Sequence, residues 1–479
     1  MNRTEKKRKE KKKQKDKPPT KSKTLSLSPN FQMQFPLSRP ISSLSFSPPN
    51  PNTNPRNKTL SLLLSLPFQN HSTITDHDDG SSSNNNNNDH RGLLISERGL
   101  KFHTGDSFFR SESAVGRDLA VLSAALHKRS NQNLRVLDAM CGCGVRSLRY
   151  LRQAGADFVW ANDANEDYRH TIVSNLSGEI RVSDGGTRRW VVTHSDANRV
   201  LVERYLERDF FDLIDVDSFG SDSGFLRSAI AAVRIGGLVY GTSTDGYSSG
   251  GHRPQHSLAS YGAYVRPMPY SNEVGLRMLI GGALREAVVL GFHISPLFSY
   301  YSYHGPVFRV MFRVNRGKLP DNGCYGFISY CNLCGNSQAF SWHELGKISC
   351  PCSNGEVSRS LVVSGPLWTG PLHDGDYVTE MLKLAEEWGW TGNGMKGTDL
   401  EKLLKQMIDE SDPDLPFGYI RLDEVASRAK VNSPPLRTII STLHEEGYAA
   451  SRSHIASNAI KTNCPMSKCI QIAKQLQSL

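Results

Sequence analysis

Apolar and polar residues follow two different spacings along the middle of the chain. Short apolar runs that end in an acid or a glycine predict strands, and longer stretches with apolar residues three or four apart predict helices. The predicted strands are Leu134–Met140, Phe158–Asp163, Trp190–Thr193, Phe211–Asp217, Gly236–Tyr240, His293–Tyr301 and Val307–Val314. Predicted helices include Ser223–Val233 and Asn272–Leu290. Because strands and helices alternate, the pattern predicts an α/β domain built on one seven-strand sheet.

The two ends of the chain differ from this middle part. Residues 1–90 are rich in Lys, Ser, Pro and Asn, and we expect them to be a disordered tail and linker. Residues 24–75 contain no Asp or Glu, a composition typical of a chloroplast or mitochondrial transit segment. The lysine-rich run before it favours the nucleus as an alternative. We predict a catalytic domain over residues 91–320 and a smaller, mainly helical domain over 321–479.

The net charge of the chain is weaker evidence for a nucleic-acid partner than its total value suggests. The chain has a formal net charge of +10, but residues 1–23 hold twelve Lys or Arg against three Asp or Glu, and so nine of these charges. The rest of the chain is nearly neutral, so any contact with nucleic acid must come from local patches. No apolar run is long enough to span a membrane. Nothing in the sequence points to an obligate protein partner.

A glycine turn follows the first predicted strand. Gly142 and Gly144 alternate with Cys141 and Cys143, and a helix begins near Arg146. Glycines let the backbone approach a ligand closely, and a strand, glycine turn and helix are typical of a nucleotide-type site. We interpret the two cysteines as packing residues. A covalent role as nucleophiles is the alternative.

Acids end the strands that follow. Asp163 ends the second strand, where such an acid holds ribose hydroxyls, and Asp196-Ala197 follow the third, where they would read an adenine amino group. A phosphate-binding turn usually has glycine at its third position, where this chain has Ser147, with Arg146 inside the turn. This order of elements favours S-adenosylmethionine over a nicotinamide cofactor.

The fourth strand ends in Asp217, Ser218 and Phe219. A carboxylate and a backbone carbonyl accept the two N–H bonds of an exocyclic amine on a nucleobase, and an aromatic ring stacks on the base. We therefore predict that this edge binds a base. The alternative is that Asp215 and Asp217 cap the next helix, with Phe219 in the core.

These motifs occur together with several others in one order. They are Gly116-Arg117-Asp118, Asp163, Asp217–Gly220, Thr244-Asp245, Asn272–Arg277, Tyr330–Gly335, Cys350–Cys352, Ser451–His454 and Ala459–Thr462. With this set the chain resembles the tRNA guanine-26 N2-dimethyltransferase family from about residue 95 to 465. The resemblance implies a class I methyltransferase domain and a family-specific C-terminal domain. It also implies mono- and dimethylation of the 2-amino group of a tRNA guanine by S-adenosyl-L-methionine.

The resemblance assigns roles to single residues. Arg117, Arg146, Asp163, Asp196 and Ala197 match cofactor-binding positions, and Asp138, Gly142 and Gly144 lie beside them. Asp217 matches the catalytic carboxylate, with Ser218 and Phe219 holding the base. The family usually has Asn at position 116 and Pro at position 218. Because proline fixes φ, we expect Ser218 to loosen the loop and to weaken the second methylation.

Four cysteines have metal-site spacing. Cys331 and Cys334 form a C-x-x-C pair, and Cys350 and Cys352 a tighter C-x-C pair, a pattern that predicts structural Zn²⁺. His343 is an alternative ligand, and four reduced thiols without metal are the other interpretation.

The C-terminal part contains a predicted helix–turn–helix. Leu422–Ala429 and Leu436–Glu446 flank a turn, and Arg452, His454 and Lys461 follow as candidate contacts to tRNA phosphates. A plain packing module is the alternative. Two other functions stay open at this point: a methyltransferase acting on another nucleic-acid or protein amine, and an RNA-binding protein without catalysis.

Overall fold

The computed structural model describes residues 93–179, 188–317, 323–353, 360–392 and 398–477. The predicted tail, transit segment and linker lie outside these residues. The described chain begins with an antiparallel hairpin of β1 (Leu94–Glu97) and β2 (Leu100–His103).

A mixed seven-strand sheet organises the molecule. Its strands are β3 (Arg135–Asp138), β4 (Phe158–Asn162), β5 (Trp190–Thr193), β6 (Phe211–Asp217), β7 (Val233–Ser243), β8 (Phe292–Ser302) and β9 (Val307–Arg316). Their spatial order is β5-β4-β3-β6-β7-β9-β8. The first five are parallel, and β9 is antiparallel to both β7 and β8. The seven predicted strands and the α/β fold class are thereby confirmed.

Helices cover both faces of this sheet. In chain order they are α1 (Ala114–Asn131), α2 (Val145–Arg152), α3 (Arg169–Leu176), α4 (Ala197–Leu206), α5 (Ser223–Ala232), α6 (Gly246–Ser249), α7 (Pro254–Tyr261) and α8 (Ser271–Val289). Successive residues of β6 point to opposite faces: Leu213 packs in the same apolar cluster as α1, and Ile214 in the same cluster as α5 and α8. Burial on both faces explains why the strands are nearly all apolar.

The C-terminal part combines helices with two small sheets. Its strands are β10 (Tyr325–Cys331), β11 (Ser337–Phe340), β12 (Leu361–Trp368), β13 (Ile420–Arg421), β14 (Ala450–Arg452) and β15 (Ala459–Thr462). Its helices are α9 (Gly375–Glu387), α10 (Thr398–Glu410), α11 (Leu422–Ala429), α12 (Leu436–Glu445) and α13 (Met466–Gln477). The strand orders are β11-β10-β12 and β13-β15-β14. Neither small sheet was evident from the apolar spacing.

Two of the C-terminal helices belong to the core of the large sheet. Met381 of α9 and Leu404 of α10 are buried in the cluster that contains Leu122 of α1 and Leu238 of β7. Helices α11, α12 and α13 form a separate apolar cluster with β15. Among the described residues, no helix combines the length and the apolar character needed to cross a membrane.

Candidate active site

A cavity of about 700 Å³ lies at the carboxyl ends of the parallel strands. Its walls come from the turn after β3, the acids after β4 and β5, the end of β6, and the segments around Thr242 and Val307. Of the residues predicted to form the site, the lining includes Arg117, Gly142, Arg146, Asp163, Asp196, Ala197, Asp217, Ser218 and Phe219. The fold therefore brings nine separate predictions to one place.

The glycine turn has the backbone that glycine permits. Gly142 has φ of 54° and Gly144 has φ of 80°, both in the left-handed region. The N–H of Gly142 donates to a carboxylate oxygen of Asp163 at 2.9 Å, which ties the turn to the end of β4. Gly144 is the N-cap residue of α2 and lies near Ile172, so it shapes the turn without lining the cavity.

Asp138, predicted as a cofactor residue, lies behind the turn. It is fully buried behind the turn, where it accepts a 2.7 Å hydrogen bond from the Ser147 hydroxyl, and it does not line the cavity. Burial raises its pKa to about 8, and the neighbouring Asp215 adds to that shift. Its position gives it a part in holding the turn.

Arg117 and Asp196 reach the cavity from helix starts. The Arg117 guanidinium is held by Glu97, with nitrogen–oxygen distances of 2.6 to 3.1 Å. Asp196 caps α4 by accepting from the N–H of Arg199 at 3.1 Å, and Ala197 follows as the first residue of that helix. Arg117 is thus fixed by a residue of β1, and Asp196 by the helix that it caps.

The end of β6 carries a compact charge network. Arg146 donates to Asp215 at 2.7 and 2.8 Å and lies 2.7 Å from Asp217. Removal from water would raise the pKa of Asp217, but the charges of Arg146 and Arg309 outweigh it and hold this pKa below the usual 3.8. Asp217 is therefore an anion at neutral pH that faces the cavity.

The loop after Asp217 is tied to the end of β7. The buried Ser218 hydroxyl donates to the carbonyl of Thr242 at 2.9 Å, and the N–H of Gly220 donates to the Thr244 hydroxyl at 2.6 Å. The carbonyl of Gly220 accepts from the N–H of Thr244 at 2.7 Å. The Ser218 hydroxyl adds a tie that proline would lack, and the expected weakening of the second methylation stays a prediction.

Phe219 lies at the mouth of the cavity. Its side chain is 74% exposed and meets the ring of Phe108, which is 57% exposed, at a centroid distance of 5.1 Å. The alternative that placed Phe219 in the core is wrong. The helix that follows begins after Asp222, so the alternative in which Asp215 and Asp217 cap it is also wrong.

Several cavity residues were not predicted. Phe108 and Arg110 come from the loop before α1, Thr242 from the end of β7, and Arg309 from β9. The adjacent Phe108-Phe109 pair could have been recognised in the sequence, because two aromatic residues in a loop often indicate a binding site. Arg309 gave no such signal, because a single arginine in a strand does not reveal what its side chain faces.

Cys141 and Cys143 also line the cavity. Both side chains are buried, and burial raises the pKa of each thiol above the usual 9.0. Both therefore stay protonated at neutral pH, which fits the packing role assigned to them.

The four predicted zinc ligands form one cluster. The sulfur–sulfur distances are 3.6 Å for Cys331 and Cys352, 3.3 Å for Cys334 and Cys350, and 3.3 Å for Cys350 and Cys352. Sulfurs at the corners of a zinc tetrahedron lie about 3.8 Å apart, given a Zn–S bond of about 2.3 Å. The donor set and its spacing fit Zn²⁺, and His343 is not part of the cluster.

Two of the candidate phosphate contacts are wrong. Lys461 is buried, and its ammonium donates to Glu273 at 2.7 Å and to the carbonyl of Gly418 at 3.0 Å. The His454 ring is fully buried against Glu410 at 3.0 Å. Both groups already have partners inside the protein and do not face solvent.

Comparisons with known proteins point in one direction. A family model described as N2,N2-dimethylguanosine tRNA methyltransferase matches residues 95–474. The tRNA (guanine(26)-N(2))-dimethyltransferase of Pyrococcus horikoshii is 30% identical over 395 residues, covering 81% of this chain and 97% of that protein. The enzyme with the same description from Metallosphaera sedula is 30% identical over 372 residues, covering 77% and 88% of the two chains.

A solved structure matches as well. The Trm1 protein of Pyrococcus horikoshii, determined as a complex with S-adenosyl-L-methionine, has a TM-score of 0.66 and 28% identity. The match covers 79% of this chain and 99% of that one. The similarity therefore extends over the methyltransferase sheet and the C-terminal part together.

Proposed function

The chain belongs to the N2,N2-dimethylguanosine tRNA methyltransferase family, and from this premise we propose that it methylates the 2-amino group of guanine 26 in tRNA. S-adenosyl-L-methionine is the methyl donor of this proposal, and one or two methyl groups are added to the same nitrogen. The relatives named above support the substrate, and the cavity supports the chemistry.

One observation carries the proposal. The acceptor groups and ring at the end of β6 open into the same cavity as the glycine turn and the acids after β4 and β5. Arg117, Arg146, Asp163, Asp196 and Ala197 are the residues that would hold the methyl donor. When bound, S-adenosyl-L-methionine supplies an electrophilic methyl group on a sulfonium.

Asp217 acts on the nucleophile. Its carboxylate and the carbonyl of Ser218 accept the N–H bonds of the 2-amino group, which orients the nitrogen lone pair. Because Arg146 and Arg309 hold its pKa low, Asp217 is a weak base and a permanent anion. Its main contribution is then to stabilise the positive charge that develops on the attacking nitrogen, and positioning supplies much of the remaining rate.

The two exposed rings hold the base. A guanine must leave its stack to reach Asp217, at a cost of a few kcal/mol. Phe219 and Phe108 offer aromatic surface at the mouth of the cavity, and stacking on such rings offsets that cost. This role explains why two large apolar side chains lie exposed to solvent.

Zn²⁺ and tRNA binding by the C-terminal part complete the proposal. The four-cysteine cluster lies at one end of the β11-β10-β12 sheet, away from the residues that line the cavity, so its role is structural. Arg452 remains a candidate contact to tRNA, since its side chain is only partly buried.

The first test removes the carboxylate. Asp217→Asn keeps the shape of the side chain and removes the anion, and we expect methyl transfer to tRNA to fall by roughly a hundredfold or more. Nucleoside analysis of tRNA after incubation measures N2-methyl- and N2,N2-dimethylguanosine. Asp376→Asn, at an exposed position on α9, is the matched control and should keep full activity. Undiminished methylation by Asp217→Asn would contradict the assigned role.

A further inference from the structure

Arg309 is a buried cation with donors to spare. Its side chain is 3% exposed, yet it lines the cavity. Its Nη2 lies 3.4 Å from the Ser113 hydroxyl and 3.9 Å from Asp217. In the part of the chain that the structure describes, no group accepts a hydrogen bond from its Nε or Nη1. Buried donors normally have partners, so these two point to a ligand.

The sheet places this cation in line with Asp217. Asp217 of β6 pairs in register with Thr242 of β7, and Thr242 pairs in register with Arg309 of β9. The three side chains therefore project from one face of three neighbouring strands. A carboxylate that accepts, a hydroxyl, and a guanidinium that donates follow one another across the cavity wall.

The position of Arg309 assigns it to the substrate half of the cavity. Four of the residues that would hold the methyl donor, Arg146, Asp163, Asp196 and Ala197, follow β3, β4 and β5 on one side of β6, and the fifth, Arg117, lies on α1. Arg309 and Thr242 lie on the other side, on β9 and β7. The ligand that these donors would bind is then the base and not the methyl donor.

The Watson–Crick edge of guanine matches this row. It presents the 2-amino group and N1–H as donors and then O6 as an acceptor. Asp217 and the carbonyl of Ser218 accept from these donors, and an arginine is a side chain that commonly donates to guanine O6. We propose that Arg309 donates to O6 of the target guanine and so makes the site selective for guanine. This inference rests on the proposed function.

A neighbouring glycine makes room for the guanidinium. A Cβ atom on Gly116 would lie 3.1 Å from three atoms of the Arg309 side chain, the Cδ, Nε and Cζ. The first turn of α1 therefore packs directly on the arginine and sets its direction. The guanidinium of Arg309 is thus held by shape on the side of α1, and its Nε and Nη1 are buried without an acceptor among the described residues.

The test crosses an enzyme variant with a base analogue. 2-Aminopurine keeps the 2-amino group and lacks O6, so tRNA carrying it at the target position removes the proposed acceptor. We expect the wild-type protein to favour guanine over 2-aminopurine. Arg309→Met removes a charge beside Asp217 and so lowers the rate on both bases, but the rate on guanine should fall by roughly tenfold or more beyond the loss on 2-aminopurine. The N1–H that 2-aminopurine also lacks affects both proteins alike and cancels.

Two controls make the outcome decisive. Arg313→Met changes the same residue type on the same strand, outside the cavity lining, and should keep the preference for guanine. Titration with S-adenosyl-L-methionine should give the same affinity for Arg309→Met and wild type. If Arg309→Met does not fold, Arg309→Lys is the variant to use, because it keeps a positive charge beside Asp217. It should lose part of the preference for guanine over 2-aminopurine.

Three results would overturn the inference. An equal loss on both bases would mean that Arg309 supports the site without contacting O6. A weakened affinity for S-adenosyl-L-methionine would assign the guanidinium to the methyl donor. A wild-type protein that methylates no guanine in tRNA would reject the proposed function as well, and the first two results would leave that function standing.

Discussion

The exposure of the Phe219 side chain indicates its function. An aromatic ring that is 74% exposed contributes little to the packed core. Its neighbours explain its place: Asp217 and Ser218 precede it at the cavity, and Phe108 meets it from another loop. The exposure that is unfavourable in the free protein becomes favourable once a base covers the ring.

We predict that Phe219→Ala separates stability from activity. Because the ring is exposed, the free energy of unfolding should change by less than about 0.5 kcal/mol. Loss of a stacked base should cost about 1–3 kcal/mol, seen as a lower kcat/KM for tRNA at saturating methyl donor. Thermal unfolding and steady-state kinetics measure the two effects.

Leu206→Ala is the control for this variant. Leu206 is 71% exposed at the end of α4 and does not line the cavity. It should change neither stability nor kinetics. A Phe219→Ala protein with normal kcat/KM would mean that the ring does not hold the base.

At the scale of elements, the seven strands of the main sheet could be predicted, because each contains an apolar run too short for a helix, and β3 and β6 end in an acid. The strands β2 and β11 could not, since they are four residues long and mostly exposed or half-buried, which leaves no apolar spacing to detect. Helix α10 is absent from the predicted helices although its buried Leu400, Leu404 and Met407 have helical spacing.

The same contrast holds for the site. Residues that end strands of a parallel sheet could be predicted to meet, because those ends share one edge. Phe108 reaches the cavity from a loop, and Lys461 finds its partner 188 residues away. Neither contact follows from local spacing, since each depends on how the whole chain packs.

The cysteine cluster gives a prediction for the β11-β10-β12 sheet. The purified protein should contain about one Zn²⁺ per chain, and Cys334→Ser should lose it and lower the midpoint of thermal unfolding, because metal binding contributes folding free energy. Elemental analysis and thermal unfolding measure both. Cys324→Ser, outside the cluster, should keep its metal. Full Zn²⁺ content in Cys334→Ser would exclude this site.

At the scale of the whole molecule, one buried carboxylate joins the two parts of the chain. Glu273 of α8 is fully buried and lies 2.8 Å from Arg277 of its own helix. It also accepts from the N–H of Gly418 at 2.6 Å and from Lys461 of β15 at 2.7 Å. Two of the three partners of Glu273, Gly418 and Lys461, therefore come from the C-terminal part.

We predict that Lys461→Met destabilises the entire protein. The change removes the buried donor that serves both Oε2 of Glu273 and the carbonyl of Gly418, and the loss of this charged hydrogen-bond partner should cost about 3 kcal/mol. Denaturant unfolding followed by fluorescence measures the change. Lys468→Met, which breaks the partly exposed pair with Glu446 at 3.1 Å, should cost less than about 1 kcal/mol. Equal effects of the two variants would contradict the role given to Glu273.

The buried contact between Glu273 and Lys461 has a consequence for truncated forms of the protein. A stop codon between codons 310 and 459 would delete the cation that faces Glu273, along with the last strand and helix. The remaining protein would retain every residue that lines the cavity, yet an acid inside α8 would have lost its distant counterion. Such a truncation should therefore yield an unstable polypeptide that the cell degrades, rather than a working catalyst with a weaker hold on its RNA.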